Sequence, residues 1–118
     1  MTYTARKTAG MPIISNAAFT TTVTSNPIRM DEMDKICLLV VAGTVSGGSP
    51  TMDCKLQYKE PNSGLWCDVV GATLPQITAA GNFAKDFTNI SARMIRVVCT
   101  YGGTGQFAST YVTTMSKS

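Results

Sequence analysis

Residues 52–59 read Met-Asp-Cys-Lys-Leu-Gln-Tyr-Lys, and their strict alternation decides the fold class. Met52, Cys54, Leu56 and Tyr58 fall on one side of an extended chain, and Asp53, Lys55, Gln57 and Lys59 on the other. Successive side chains of a strand point to opposite faces, so this segment sets one face on a core and the other in water.

Working outward, Pro61-Asn62-Ser63-Gly64 is a turn, and Leu65 to Val70 returns as the hairpin partner. Upstream, residues 35–45 (KICLLVVAGTV) form a near-continuous apolar run, the pattern of a strand buried on both faces. Its valines and the following Gly47-Gly48-Ser49-Pro50 favour strand over helix. Downstream, the segment after Gly71 up to Ala80 reads as loop, with Pro75 and a short extended piece near Ile77. Asn82 to Phe87 follows as a strand, and Asn89 to Ala92 as a tight turn or single helical turn.

Residues 93–101 repeat the alternation: Ile95, Val97, Cys99 and Tyr101 share one face, Met94, Arg96, Val98 and Thr100 the other. Gly102 to Gly105 turns the chain, and Gln106 to Met115 closes the domain with Phe107 and Tyr111 as inward anchors. Near the start, Phe19, Thr21 and Val23 alternate with Thr20, Thr22 and Thr24 up to the break at Ser25-Asn26-Pro27. Residues 1–16 show no period and read as an extended N-terminal arm, with Met11 to Ile14 a short edge strand. Turn signals about every ten residues and abundant β-branched side chains predict seven or eight antiparallel strands. The expected fold is therefore all-β: an antiparallel two-sheet β-sandwich, jelly-roll-like, spanning residues 17–118 behind the arm.

Composition narrows the function. The 118 residues suffice for one domain. Charged residues make up only 14%, against roughly 25% in typical soluble domains. The net charge of +3 comes from scattered lysines and arginines, several beside acids as in Asp34-Lys35, Lys59-Glu60 and Lys85-Asp86. A nucleic-acid module needs a clustered basic stripe, so no nucleic-acid partner is expected. No apolar run approaches the roughly 18 residues of a membrane-spanning helix, and no membrane partner is expected. Met1-Thr-Tyr-Thr-Ala-Arg-Lys lacks the apolar stretch of a secretory signal. Synthesis in a reducing cytoplasm is the expectation, with Cys37, Cys54, Cys67 and Cys99 as small buried hydrophobes rather than bridges.

The chemistry of catalysis is thin. There is no histidine, which removes the commonest general base and metal ligand together. The acids Asp31, Glu32, Asp34, Asp53, Glu60, Asp68 and Asp86 fall at strand ends or outward positions, where solvation is the simplest role. Asp31-Glu32-Met33-Asp34 lacks the spaced oxygen ligands of a calcium loop, and no CxxC pair writes a zinc site. Gly102-Gly103-Thr104-Gly105 lies between strands, without the helix N-terminus and lysine of a phosphate cradle. No enzyme, cofactor or metal is expected. The lone Trp66 reads as a core or sheet-covering residue; exposed, it would offer a stacking platform for a sugar ring. Met30, Met33 and Met115 fall near turns or ends and are candidates for partner contact.

One combination of pieces extends over residues 17–115. It comprises Leu38 to Val41, Gly47-Gly48-Ser49, Lys55-Leu56-Gln57-Tyr58 and Gly64-Leu65-Trp66-Cys67-Asp68-Val69. It continues through Gly81-Asn82-Phe83, Asp86, Arg93-Met94-Ile95-Arg96-Val97-Val98 and Gly103-Thr104-Gly105. This pattern resembles the small β-sandwich virion proteins encoded among the structural genes of tailed bacteriophages. Similar pieces occur in discoidin-like carbohydrate-binding sandwiches. The phage resemblance implies a capsid cement or decoration protein, assembled into virions in the host bacterial cytoplasm. It would bind the major capsid (coat) protein and act as a homo-oligomer, a dimer or trimer. The arm would then carry the partner contacts, through Tyr3, Arg6, Lys7, Met11, Ile13 and Ile14. The rival expectations are a tail- or fibre-associated carbohydrate-binding module using Trp66, and a tail, neck or baseplate component.

Overall fold

The computed structural model of the chain describes residues 11–30, 35–88 and 93–117. Among these, every regular element is a strand: β1 (Met11–Phe19), β2 (Val23–Thr24), β3 (Ile28–Arg29), β4 (Lys35–Ala42) and β5 (Val45–Ser46). The rest are β6 (Thr51–Lys59), β7 (Trp66–Thr73), β8 (Gly81–Phe87), β9 (Met94–Gly102) and β10 (Gln106–Lys117). They build two antiparallel sheets. The first runs β1-β10-β4-β8 with β5 also on β10; the second runs β2-β9-β6-β7 with β3 also on β9.

Two of the ten segments are interruptions rather than separate strands. β4 and β5 both pair with β10 and are split at Gly43-Thr44. A Cβ on Gly43 would lie 1.6 Å from the Ala108 carbonyl oxygen, so only glycine lets β10 come this close. β2 and β3 both pair with β9 and are split at Ser25-Asn26-Pro27. The buried Ser25 repairs that break: its N–H donates to the Val97 carbonyl (2.8 Å) while its Oγ accepts the Val97 N–H (2.9 Å). Counted so, eight strands remain among the described residues, and their order is first-last-third-sixth facing second-seventh-fourth-fifth. That order is a jelly roll, two Greek keys wrapped around one core.

The two sheets meet through the faces the alternation marked. Met52, Cys54 and Leu56 of β6 and Ile95, Val97 and Cys99 of β9 are buried from the second sheet. Ile36, Leu38, Val40 and Val112 are buried from the first. Each large aliphatic side chain fully removed from water contributes about 1.5–3 kcal/mol. Phe19, Phe107 and Tyr101 close one end of the core, with Phe19 edge-on to Tyr101 at 5.7 Å.

Several sequence expectations need correction. Phe19 to Thr24 is not one strand: Phe19 ends β1 in the first sheet, and Val23 opens β2 in the second. The threonines between them carry the chain across, and Thr22 Oγ1 accepts the Tyr101 N–H at 3.1 Å in place of a ladder bond. Tyr111 is not an inward anchor; it is 39% exposed on the outer face. Ser109 adopts a left-handed φ of 47°, which shifts the parity of β10 so that Phe107 and then Thr110, Val112 and Thr114 point inward. Met30 is fully buried in the core, which removes it as a surface contact. The apolar run of β4 is buried on its inner face only, with Cys37, Leu39 and Val41 half-exposed outside.

Candidate functional site

The outer faces of the two sheets are chemically unlike. On the second sheet, Lys55 and Gln57 of β6, Trp66 and Asp68 of β7 and Arg96 of β9 form one connected polar network on the outer face, with Val98 of β9 beside it. The register sets Gln57 opposite both Asp68 and Arg96, and Lys59 opposite Trp66. Lys55 Nζ lies 3.0 Å from Asp68 Oδ1, Gln57 Nε2 donates to the same oxygen at 2.9 Å, and Arg96 Nε donates to Gln57 Oε1 at 2.9 Å. The Arg96 guanidinium then lies 4.4 Å over the centre of the Trp66 ring. The hydrogen bonds from Gln57 and Lys55 hold the Asp68 carboxyl below its usual range. Trp66 is thus half-buried on the sheet under a guanidinium: a sheet-covering residue.

At the β6–β7 turn, Glu60 Oε1 and Oε2 accept the N–H groups of Asn62 (3.0 Å) and Ser63 (2.6 Å). The Ser63 hydroxyl first, and then these amides, lower the Glu60 pKa. Beyond Asp68 the hairpin bulges: Val69 to Ala72 stand opposite Leu56 alone before pairing resumes at Lys55–Thr73. Gly71 supplies the left-handed turn this needs (φ 77°), and Val70 is thrown outward, 98% exposed.

On the first sheet the outer face is apolar along its middle. Cross-strand rows set Tyr111, Val41 and Asn82 side by side, then Thr113, Leu39 and Ala84, then Cys37 and Asp86. Burial first, and then a hydrogen bond that the thiol donates to the Asp86 carboxylate, push the Cys37 pKa up.

The sheet edges differ too. β2 and β3 are broken, β7 is bulged, and β8 carries Lys85 on its core-side register, with Nζ 5.6 Å from the centre of the Phe87 ring. Interruption, bulging and an inward charge all guard an edge against pairing. β1 is the long edge, nine residues paired to β10 alone among the described residues, with a register shift between Pro12 and Ile14.

Of the residues proposed for partner contact, Met11, Ile13 and Ile14 belong to β1, while Tyr3, Arg6 and Lys7 lie outside the described residues. The boundary drawn at residue 16 falls within that strand. The Asp31-Glu32-Met33-Asp34 cluster and the Asn89–Ala92 turn also lie outside them. Among the described residues, no group of three or more His, Cys, Asp or Glu side chains is placed to hold a metal ion. Asp53 takes the Gln76 amide at 3.2 Å on the outside of β6. Sequence reasoning missed the apolar outer face of the first sheet, although the unbroken run of β4 carried the signal.

Fold and surface together define a jelly-roll β-sandwich with one polar and one apolar outer face. No protein-family model matches the chain, and no curated protein sequence does. Among solved structures, it is similar in fold to the SPBc2 prophage-derived protein YomS at 10% identity, with a TM-score of 0.60. That match covers 100% of this chain and 98% of that one. A carbohydrate-binding module specific for non-crystalline cellulose, CBM28, matches at 10% identity with a TM-score of 0.46, over 87% of this chain and 69% of that one.

Proposed function

We propose that this chain is a structural protein of a phage particle, a capsid cement or decoration protein that ties neighbouring coat subunits by contact and without catalysis. The observation that carries the reading is the end-to-end likeness in fold to a prophage-derived protein, with almost nothing left over on either chain. Fold alone does not assign function. The surface chemistry supports it independently: Leu39, Val41 and Tyr111 offer apolar area in the middle of a sheet, and β1 offers a long edge for strand addition. Residues 1–10 precede that edge strand in sequence, and in this reading they add to its contacts with a neighbouring coat subunit. In this reading the protein resides in the virion and acts as a dimer or trimer.

A tail- or fibre-associated sugar-binding role rests on Trp66, which is half-exposed among hydrogen-bonding side chains. Arg96 stands over its ring, so a sugar would have to displace the guanidinium to stack there. That makes cement the better reading.

Cryo-electron microscopy of the particle carrying the protein tests it. Many copies bridging coat subunits are expected; a few copies at the tail with Trp66 facing outward would overturn it. Deleting residues 1–10, which leaves β1 whole, is expected to weaken binding to preformed shells at least tenfold. Normal decoration by the truncated protein would remove the arm from the contact.

A further inference from the structure

We propose that Cys54 and Cys99 are the site of an intramolecular cross-strand disulfide, joining the two central strands of the second sheet when the chain folds in the presence of a small-molecule disulfide. The two residues are direct partners in the β6–β9 register, and their sulfurs touch at 3.1 Å with both side chains buried.

Backbone polarity shows which kind of pair this is. The Met52 N–H and C=O bond to Ile77, and the Cys54 C=O accepts from Leu74, so this stretch of β6 directs its polar groups away from β9. Val97 bonds to Ser25, and the Tyr101 N–H to Thr22, so β9 directs its groups around Cys99 away from β6. Cys54 and Cys99 therefore form a non-hydrogen-bonded antiparallel pair. In such pairs the Cα atoms stand about 4.5 Å apart and the side chains approach most closely. That separation lies at the short end of the range, roughly 4.4–6.8 Å, that disulfides span. The other two cysteines are placed differently: Cys37 lies on the outer face of the opposite sheet beside Asp86, and Cys67 stands opposite Tyr58.

The reaction is two successive exchanges. The thiolate of one cysteine attacks a sulfur of the small disulfide, forms a mixed disulfide and expels one small thiolate. The second cysteine's thiolate then attacks the protein-side sulfur, forming the Cys54–Cys99 bond and expelling the second. Two protein S–H bonds are lost, one S–S bond is gained, and the oxidant leaves as two thiols carrying the two protons. In the folded chain both side chains are buried out of reach of a small disulfide, and the hydrogen bond with the Cys99 sulfur, then burial, keeps the Cys54 thiol protonated, so the bond closes while the strands are forming or opened rather than in the intact sandwich.

The test is to refold the full chain in a glutathione redox buffer, block remaining thiols with iodoacetamide and map the peptides by mass spectrometry. The expected product links Cys54 to Cys99 and carries alkyl groups on Cys37 and Cys67. The crosslink spans 45 residues, and constraining a loop of that size in the unfolded chain is expected to raise the melting temperature by about 10 °C. A Cys37→Ser/Cys67→Ser variant keeps both results, and Cys54→Ala or Cys99→Ala abolishes them. Four alkylated thiols, a link between other cysteines, or an oxidised form that melts no higher would overturn the proposal. None of these outcomes depends on the particle in which the protein works.

Discussion

The two sheets use their central strands differently. β6 alternates strictly, and its outer positions Lys55 and Gln57 join Asp68, Arg96 and Trp66 in one polar network. β4 is apolar on both faces, and its outer positions Cys37, Leu39 and Val41 stay half-exposed. The inner faces are equivalent and hold the fold; the outer faces diverge because only one of them is satisfied by its own side chains. An apolar strip on the open side of a well-packed sheet contributes little to the monomer, so it marks the face to test for a partner.

The largest expected effect checks the equivalence of the inner faces. Leu38→Ala in β4 and Leu56→Ala in β6 each empty a fully buried position, and each is expected to cost about 2–5 kcal/mol in urea unfolding. A cost confined to one sheet would mean that the core is not shared as described. A smaller effect separates the outer faces. Leu39→Thr suits a strand and is expected to cost under about 1 kcal/mol in the isolated protein. On the cement reading it also lowers shell binding at least tenfold. Arg96→Ala, which strips the cation from Trp66, is expected to cost about 0.5–1 kcal/mol and leave shell binding unchanged. If the two variants exchange these outcomes, the polar face is the contact surface.

The smallest effect is the pH response of the polar face and its adjoining turn. Asp68 and Glu60 have folded pKa values held below their ordinary ones, by Gln57 and Lys55 in the first case and by Ser63 and the turn amides in the second. Their contribution is therefore present above the unfolded values, near pH 4, and is lost as pH falls through the lower folded values. Asp68 is exposed and Glu60 half-exposed, so solvent screens both, the expected fall in melting temperature below about pH 4 is modest, and Asp68→Asn should flatten part of it.

Much of this was legible along the chain. The period of two in residues 52–59 and 93–101 placed Cys54, Leu56, Ile95, Val97 and Cys99 inward and Lys55, Gln57 and Arg96 outward. Periodicity failed where one residue resets the count. The left-handed Ser109 turned Tyr111 outward, and the crossing after Phe19 split an apparently continuous strand between two sheets. Trp66 was readable as a sheet-covering residue, but its partner Arg96 lies on β9, 30 positions further along.

Local pattern by itself determined that the chain is an antiparallel sandwich, which faces of its clean strands are apolar, and where most turns fall. These follow from side-chain alternation and backbone preference within a few residues. Only the tertiary structure decided the jelly-roll order, the meeting of Cys54 with Cys99, and the contrast between a satisfied and an unsatisfied outer face. Each of those depends on register between strands distant in sequence, and register is set by the packing of the whole core.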